Sequence, residues 1–256
     1  MPTNFLRGFW KLSWVETKVF MREPMGSVGT IMMPAIIFVV MGRLFGATRP
    51  AGAPAGAVPM EPPPFNVAIL AAIVIAIGAV QSLVAIISIY REGGILKRLR
   101  ATPLSPVTIL GAHVAVKLVF TVISLALVVL AGRRLFPGVM QVNVFSFSAA
   151  VLLSTLSILS LGFVMASLVP TARFAQPIGA LVMYPMLALS GLFYPVAQLP
   201  RALQVVAYTL PTTHAVALLQ GVWDGSGWGA HWMNAGALVL IFLAFSALST
   251  RVFRWE

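Results

Sequence analysis

Along this chain the charged residues gather at the edges of long apolar runs instead of alternating within them. An apolar helix crosses a hydrocarbon core of about 30 Å with about 20 residues, each rising 1.5 Å. By that rule the pattern predicts six transmembrane helices, at residues 26–45, 66–90, 107–130, 144–169, 177–194 and 232–249. An even number of crossings puts both termini on one side of the membrane. Residues 1–25 follow a different pattern. At about 100° per residue, Arg7, Lys11, Lys18 and Arg22 share one arc, and Phe5, Phe9, Leu12, Val15, Val19 and Phe20 fill the next. Trp10 and Trp14 flank the basic stripe, so the segment reads as an amphipathic helix lying in the membrane surface. Glu16 falls inside the apolar arc and is the flaw in that pattern.

The connections differ in kind. Residues 46–64 are a run of Pro, Gly and Ala that cannot hold a helix, because Pro lacks the amide donor and Gly favours the unfolded chain. Residues 91–106 are basic. Ile95, Leu96 and Leu99 interleave with Lys97, Arg98 and Arg100 at helical spacing, which predicts a short amphipathic helix outside the bilayer. Thr102-Pro103 ends it, and Ser105-Pro106 starts the next helix with Ser as N-cap and Pro at the first helical position. Residues 195–231 are too long for a turn and too apolar for a solvated loop. Gly191, Pro195, Pro200 and Pro211 interrupt helix at intervals, which predicts short re-entrant helices over residues 191–211. Broken backbone at membrane depth is tolerated only when buried in protein or lining a wet cavity. No internal repeat divides the chain, so residues 1–256 form a single all-α polytopic membrane domain.

Composition supports this class: 59% of the 256 residues are hydrophobic, 9% are charged, and mean hydropathy is +0.96. The net charge of +11 sits at the ends of apolar segments, where it orients a membrane protein and does not call for nucleic acid. Arg7, Lys11, Lys18, Arg22, Arg91, Lys97, Arg98, Arg100, Arg173, Arg251 and Arg254 fall on the side holding the termini, and Arg49, Arg133, Arg134 and Arg201 on the other. The positive-inside rule makes the first side cytoplasmic. Residues 1–25 lack the apolar run and small-residue site of a cleaved signal peptide. The absence of cysteine excludes disulfides and thiolate metal sites.

Candidate chemistry inside the membrane is sparse. Glu16, Glu23, Glu61, Glu92, Asp224 and Glu256 all lie outside the six predicted spans, which argues against a proton-coupled secondary transporter needing an intramembrane carboxylate. Lys117 lies inside the third span with His113 one turn earlier on the same face. Its long stem favours snorkelling to the cytoplasmic headgroups, and contact with an anionic group of a substrate or lipid is the alternative. His113, His214 and His231 are too scattered for a metal site. Aromatic and Met side chains on the spans face lipid or neighbouring helices, or line a soft apolar route.

Two blocks resemble the permease subunits of type-2 ABC transporters, the membrane half of an ABC exporter. REGGILKRLRATPLSP, from Arg91, is similar to the family's cytoplasmic loop, which runs acidic-x-Gly, a basic-hydrophobic helix, then Ala-Thr-Pro-x-Ser. SGLFYPVAQLPRALQVVAYTLPTTHAVALLQG, from Ser190, is similar to the signature after its fifth span. With the interfacial helix and six spans, the resemblance covers nearly the whole chain. This sequence has Gly93-Gly94-Ile95 where many members have one Gly followed by Thr. The resemblance implies a coupling helix docked into a separate ATP-binding cassette subunit, with Glu92, Ile95, Leu96, Lys97, Arg98, Leu99 and Arg100 as the contacts. It also implies a dimer with a second copy or a related permease, in a bacterial inner membrane, with ATP and Mg held by the partner. This chain has no phosphate-binding G-x-x-x-x-G-K-[ST] loop and so is not read as an enzyme. Its compact loops resemble the drug- and antibiotic-export branch, with lipid-linked glycan export as the alternative.

Overall fold

The computed structural model describes residues 2–22, 24–45, 66–95, 106–135, 143–169 and 171–252, and among them it is helical with no strand. The helices are α1 (Pro2–Arg22), α2 (Pro24–Phe45), α3 (Val67–Glu92), α4 (Pro106–Leu135), α5 (Val144–Leu168) and α6 (Ala172–Ala188). A 3-10 turn at Val196–Gln198 follows, then α7 (Arg201–Thr209), α8 (Pro211–Trp223), α9 (Gly227–Ala230) and α10 (Trp232–Val252). Five of these, α2, α3, α4, α5 and α10, are long and apolar enough to cross a membrane.

The expected fifth span, residues 177–194, falls on α6, which starts at Ala172 and stops at Ala188 after 17 residues, five residues earlier at its start, six earlier at its end, and at the lower end of the length that crosses a bilayer. Pro177 and Pro185 lie inside it and do not bound it. The chain leaves the helix at Leu189 and turns at Gly191, whose φ of 85° is open to glycine and strained for other residues. The expected break over residues 191–211 is present but extends further. After the 3-10 turn, α7 and α8 meet at Leu210 with a bend of 81°, a broken span or re-entrant pair reaching Trp223.

Other boundaries follow from local chemistry. α3 runs past Tyr90 to Glu92 and ends at Gly93-Gly94, where Gly94 takes φ 67°. α4 continues beyond residue 130 and carries Arg133 and Arg134 in its last turn, where cations oppose the negative end of the helix dipole. α5 is capped by Asn143, whose side chain accepts from the amides of Phe145 (3.1 Å) and Ser146 (3.2 Å), and it ends at Val169 before a proline.

The core lies along α3 and α5. Ile69, Ile73, Leu83 and Ile87 of α3 are fully buried with Ile158 and Leu159 of α5 and Leu218 of α8. Apolar side chains gain little from leaving lipid, so helices in a membrane associate through close packing at small residues. Gly162 of α5 allows that approach: a Cβ there would meet Val80 Cγ1 of α3 at 3.1 Å. α2 and α6 also pack on α3, α10 packs on α5 and α8, and α1 lies along α4 and α2.

Candidate transport cavity and loop root

A cavity of about 530 Å³ opens between α1, α2, α3, α4 and α6. Its apolar lining comes from Met33, Pro34 and Ile37 of α2, Val74, Ile77 and Ile86 of α3, and Tyr184 and Leu187 of α6. Its polar lining gathers Glu16, Gln81, Ser82, His113, Lys117 and Gln176 from four helices.

Lys117 and His113, one turn apart on α4, both face inward and are 6% and 2% exposed. The ammonium group of Lys117 donates to Ser82 Oγ at 2.5 Å and sits 4.6 Å from the centre of the Phe20 ring. It is thus engaged inside the bundle, where snorkelling would have carried it outward. The ring of Phe20 in turn stacks on Phe120, with centroids 4.2 Å apart.

Glu16 completes the cluster. Its carboxylate, 5% exposed, accepts from the Tyr90 hydroxyl at 2.7 Å and lies 3.3 Å from His113 Nδ1. Burial away from water pushes its pKa above the ordinary 4.5, while the Tyr90 hydrogen bond and the Lys117 charge pull the other way. A carboxylate outside every span in sequence is therefore packed against two of them in space. Glu16 itself stays on α1, outside the spans as expected, and faces the bundle with Phe9 and Phe20 of the arc it interrupts, while Val15 of that arc is exposed. Trp10 and Trp14 point away from the bundle and are exposed.

At the end of α3, Arg91 and Glu92 bind the junction of α5 and α6. Arg91 donates from its two terminal nitrogens to the carbonyls of Ala166 and Val169, each at 2.7 Å. Glu92 Oε2 accepts from the amide of Ala172 at 3.0 Å. Of the residues expected to contact an ATPase, Glu92 and Ile95 are described, and both are exposed. Leu96, Lys97, Arg98, Leu99 and Arg100 lie outside the described residues.

The break between α6 and α8 encloses a second cavity of about 380 Å³, lined in part by Gly191, Tyr194, Pro195, Thr213, Gln220 and Asn234. Pro200 is the N-cap of α7, and the buried Pro211 opens α8. Thr212 Oγ1 donates to the Met186 carbonyl at 3.0 Å, which sets the start of α8 beside the end of α6. At its other end Trp223 packs edge-on against Phe147 with centroids 5.6 Å apart, and Trp228 Nε1 donates to Ser146 Oγ at 2.9 Å. α8 thus spans from the tip of α6 to the start of α5. His214 is held by Asn234 Oδ1 and the Tyr208 carbonyl, each at 3.0 Å.

Sequence reasoning passed over Glu16, Gln81, Ser82 and Tyr90. For Glu16 a signal existed, a carboxylate on an otherwise apolar arc. Gln81 and Ser82, the adjacent polar pair in the middle of an apolar run, were the other readable sign.

A family model described as ABC-2 type transporter matches residues 7–223. The inner membrane transport permease YhhJ of Escherichia coli (strain K12) is 28% identical over 166 residues, covering 64% of this chain and 44% of that protein. Nodulation protein J of Rhizobium leguminosarum bv. viciae is 33% identical over 99 residues, 39% of this chain and 38% of that protein. Its counterpart in Rhizobium meliloti (strain 1021) is 33% identical over 102 residues, 40% and 39%. The matched region is thus less than half the length of each of these relatives.

Proposed function

This chain belongs to the ABC-2 type transporter family, and from that premise we propose that it is the membrane subunit of an ATP-driven exporter of amphipathic, lipid-like or drug-like molecules. It is a multi-pass membrane protein. The cytoplasmic placement of its termini rests on the distribution of Lys and Arg.

The observation that carries the substrate class is the two-toned cavity. One wall is Met, Pro and Ile, and the other is Gln81, Ser82, His113, Lys117 and Gln176. Such a space suits a molecule with an apolar body and a polar end, since each buried polar group needs a partner. His113 Nε2 has no hydrogen-bond partner among the described residues and is available to one. Lys117 adds a donor able to meet an anionic or hydroxyl-bearing headgroup.

Energy comes from a separate ATP-binding cassette subunit carrying ATP and Mg. Residues 91–106 are its docking loop, in which Ile95, Leu96 and Leu99 fill an apolar cleft and Lys97, Arg98 and Arg100 fix register on an acidic rim. The exporter contains two membrane subunits. Gly191, Pro195, Pro200 and Pro211 form a gate at the outer end.

The deciding experiment is purification of the tagged chain from its native membrane. A copurifying ATP-binding cassette protein supports the proposal, and ATP hydrolysis by the chain alone would refute it. Substituting both Leu96 and Leu99 by Asp should abolish copurification while leaving membrane insertion intact. Deletion that sensitises cells to drugs supports a drug-like substrate, and a missing surface polymer would replace it with a lipid-linked glycan.

A further inference from the structure

The last turn of α3 carries three consecutive side chains, Tyr90, Arg91 and Glu92, and each leaves it toward a different element. Neighbours on a helix are rotated by about 100°, so three in a row diverge. Tyr90 reaches Glu16 of α1, Arg91 reaches the C-terminus of α5, and Glu92 reaches the N-terminus of α6.

The signs at these termini match. The last carbonyls of a helix and its first amides lack partners within the helix, and carry the negative and positive ends of its dipole. Arg91 places a cation on two such carbonyls, and Glu92 places a carboxylate on such an amide. Thr171, the N-cap residue of α6, makes no side-chain capping bond, so the cap comes from α3 instead. Immediately beyond Glu92 the helix ends at Gly93-Gly94 and the chain enters the basic loop.

The two helices that are held differ in freedom. α5 packs along α3, α8 and α10, whereas α6 packs mainly on α3, is interrupted by two prolines, and leaves Phe174, Leu181 and Tyr184 exposed. α6 also forms one wall of the cavity, through Gln176, Tyr184 and Leu187.

We infer that Arg91 and Glu92 are positioning residues for coupled transport, joining the root of the docking loop to the α5–α6 junction so that movement of the loop is passed to the α6 wall of the cavity. What moves the loop is the ATPase of the proposed function, on which this inference rests in that respect. The clamp itself is a property of this chain alone.

The test uses the copurified complex in vesicles, with spin labels on Leu181→Cys of α6 and Leu243→Cys of α10, both on exposed positions of the cysteine-free chain. In the otherwise unaltered protein the label distance should change between the nucleotide-free state and vanadate-trapped ATP. In Arg91→Ala and in Glu92→Ala that change should disappear and transport per ATP hydrolysed fall about tenfold. Arg91→Lys, which still presents a cation to the two carbonyls, should restore part of the change. A full change of distance in the Arg91→Ala, Glu92→Ala double variant overturns the inference. If no ATPase copurifies, the proposed function fails instead, and the clamp is read separately by hydrogen exchange in the isolated chain. There Glu92→Ala should speed exchange at Ala172, and unchanged exchange in both alanine variants overturns the clamp whatever the partner.

Discussion

Tyr90 near the end of α3 donates a 2.7 Å hydrogen bond to Glu16 in the middle of α1, across 74 positions of sequence. The bond fixes the first helix to the turn of α3 from which the basic loop of residues 91–106 departs. Glu16 is therefore a group through which α1 docks on α3 and α4.

The first prediction concerns pH. The groups facing Glu16 are Tyr90 of α3 and His113 and Lys117 of α4. The folded-state pKa of Glu16 is raised above its ordinary value, so the folded chain binds this proton more tightly than the unfolded one. Stabilisation from that proton is fully present below about pH 4.5 and is lost as pH rises through the raised value. Limited proteolysis of α1, or the emission of Trp10 and Trp14, should show looser docking across that window. Glu16→Gln keeps an acceptor for Tyr90 and should flatten the profile; an unchanged profile would assign the effect elsewhere.

The second concerns the seam between α3 and α6. A Cβ at Gly179 would meet the side-chain amide of Gln81, the end of a flexible chain that can swing into the cavity it lines, so Gly179→Ala should destabilise the chain in detergent by only about 1 kcal/mol, the low end of the cost of overpacking. Gln81→Ala should relieve most of that cost in the double variant, giving a non-additive cycle in thermal melting. Additive losses would mean that the two helices do not meet there.

A third addresses the cavity. Lys117→Met removes the ammonium from Ser82 and from the Phe20 ring while retaining a long apolar stem. Substrate-stimulated ATP hydrolysis by the complex should require about tenfold more of a substrate with an anionic or hydroxyl-bearing headgroup, and Lys117→Arg should recover part of the loss. Equal response to substrate in Lys117→Met would make the residue a packing element.

A fourth separates the proposed gate from static packing around the second cavity. Thr213 is buried beside the second cavity and its hydroxyl lacks a partner among the described residues, whereas Asp224 is exposed at the end of α8. Cysteine at Asp224 should react rapidly with a membrane-impermeant thiol reagent in every state, because labelling follows water access to the thiolate. Cysteine at Thr213 should change its rate by about tenfold when the partner is trapped with nucleotide. Protection at Thr213 insensitive to nucleotide would leave the segment as packing.

Much of the architecture was legible from local rules. Long apolar runs at 1.5 Å per residue announced α2, α3, α4, α5 and α10. Asn143, Gly93-Gly94 and Pro106 marked helix ends through hydrogen bonding and backbone freedom. Gly191, Pro195, Pro200 and Pro211 announced broken helix, though not its extent: proline stops a helix only when its lost bond and ring clash outweigh packing. In α6, Pro177 and Pro185 are carried inside the helix.

Periodicity states which face of a helix is apolar, whereas the facing helix decides what is buried. For that reason the sequence alone determined a polytopic helical membrane chain with a basic loop after its second span. Only the tertiary structure decided that Glu16 enters the bundle, that Lys117 turns inward to Ser82, and that Arg91 and Glu92 hold the ends of α5 and α6. Each of those contacts joins groups far apart in the chain, and its free energy depends on the water excluded and the dipoles met when helices pack, quantities that no local window contains.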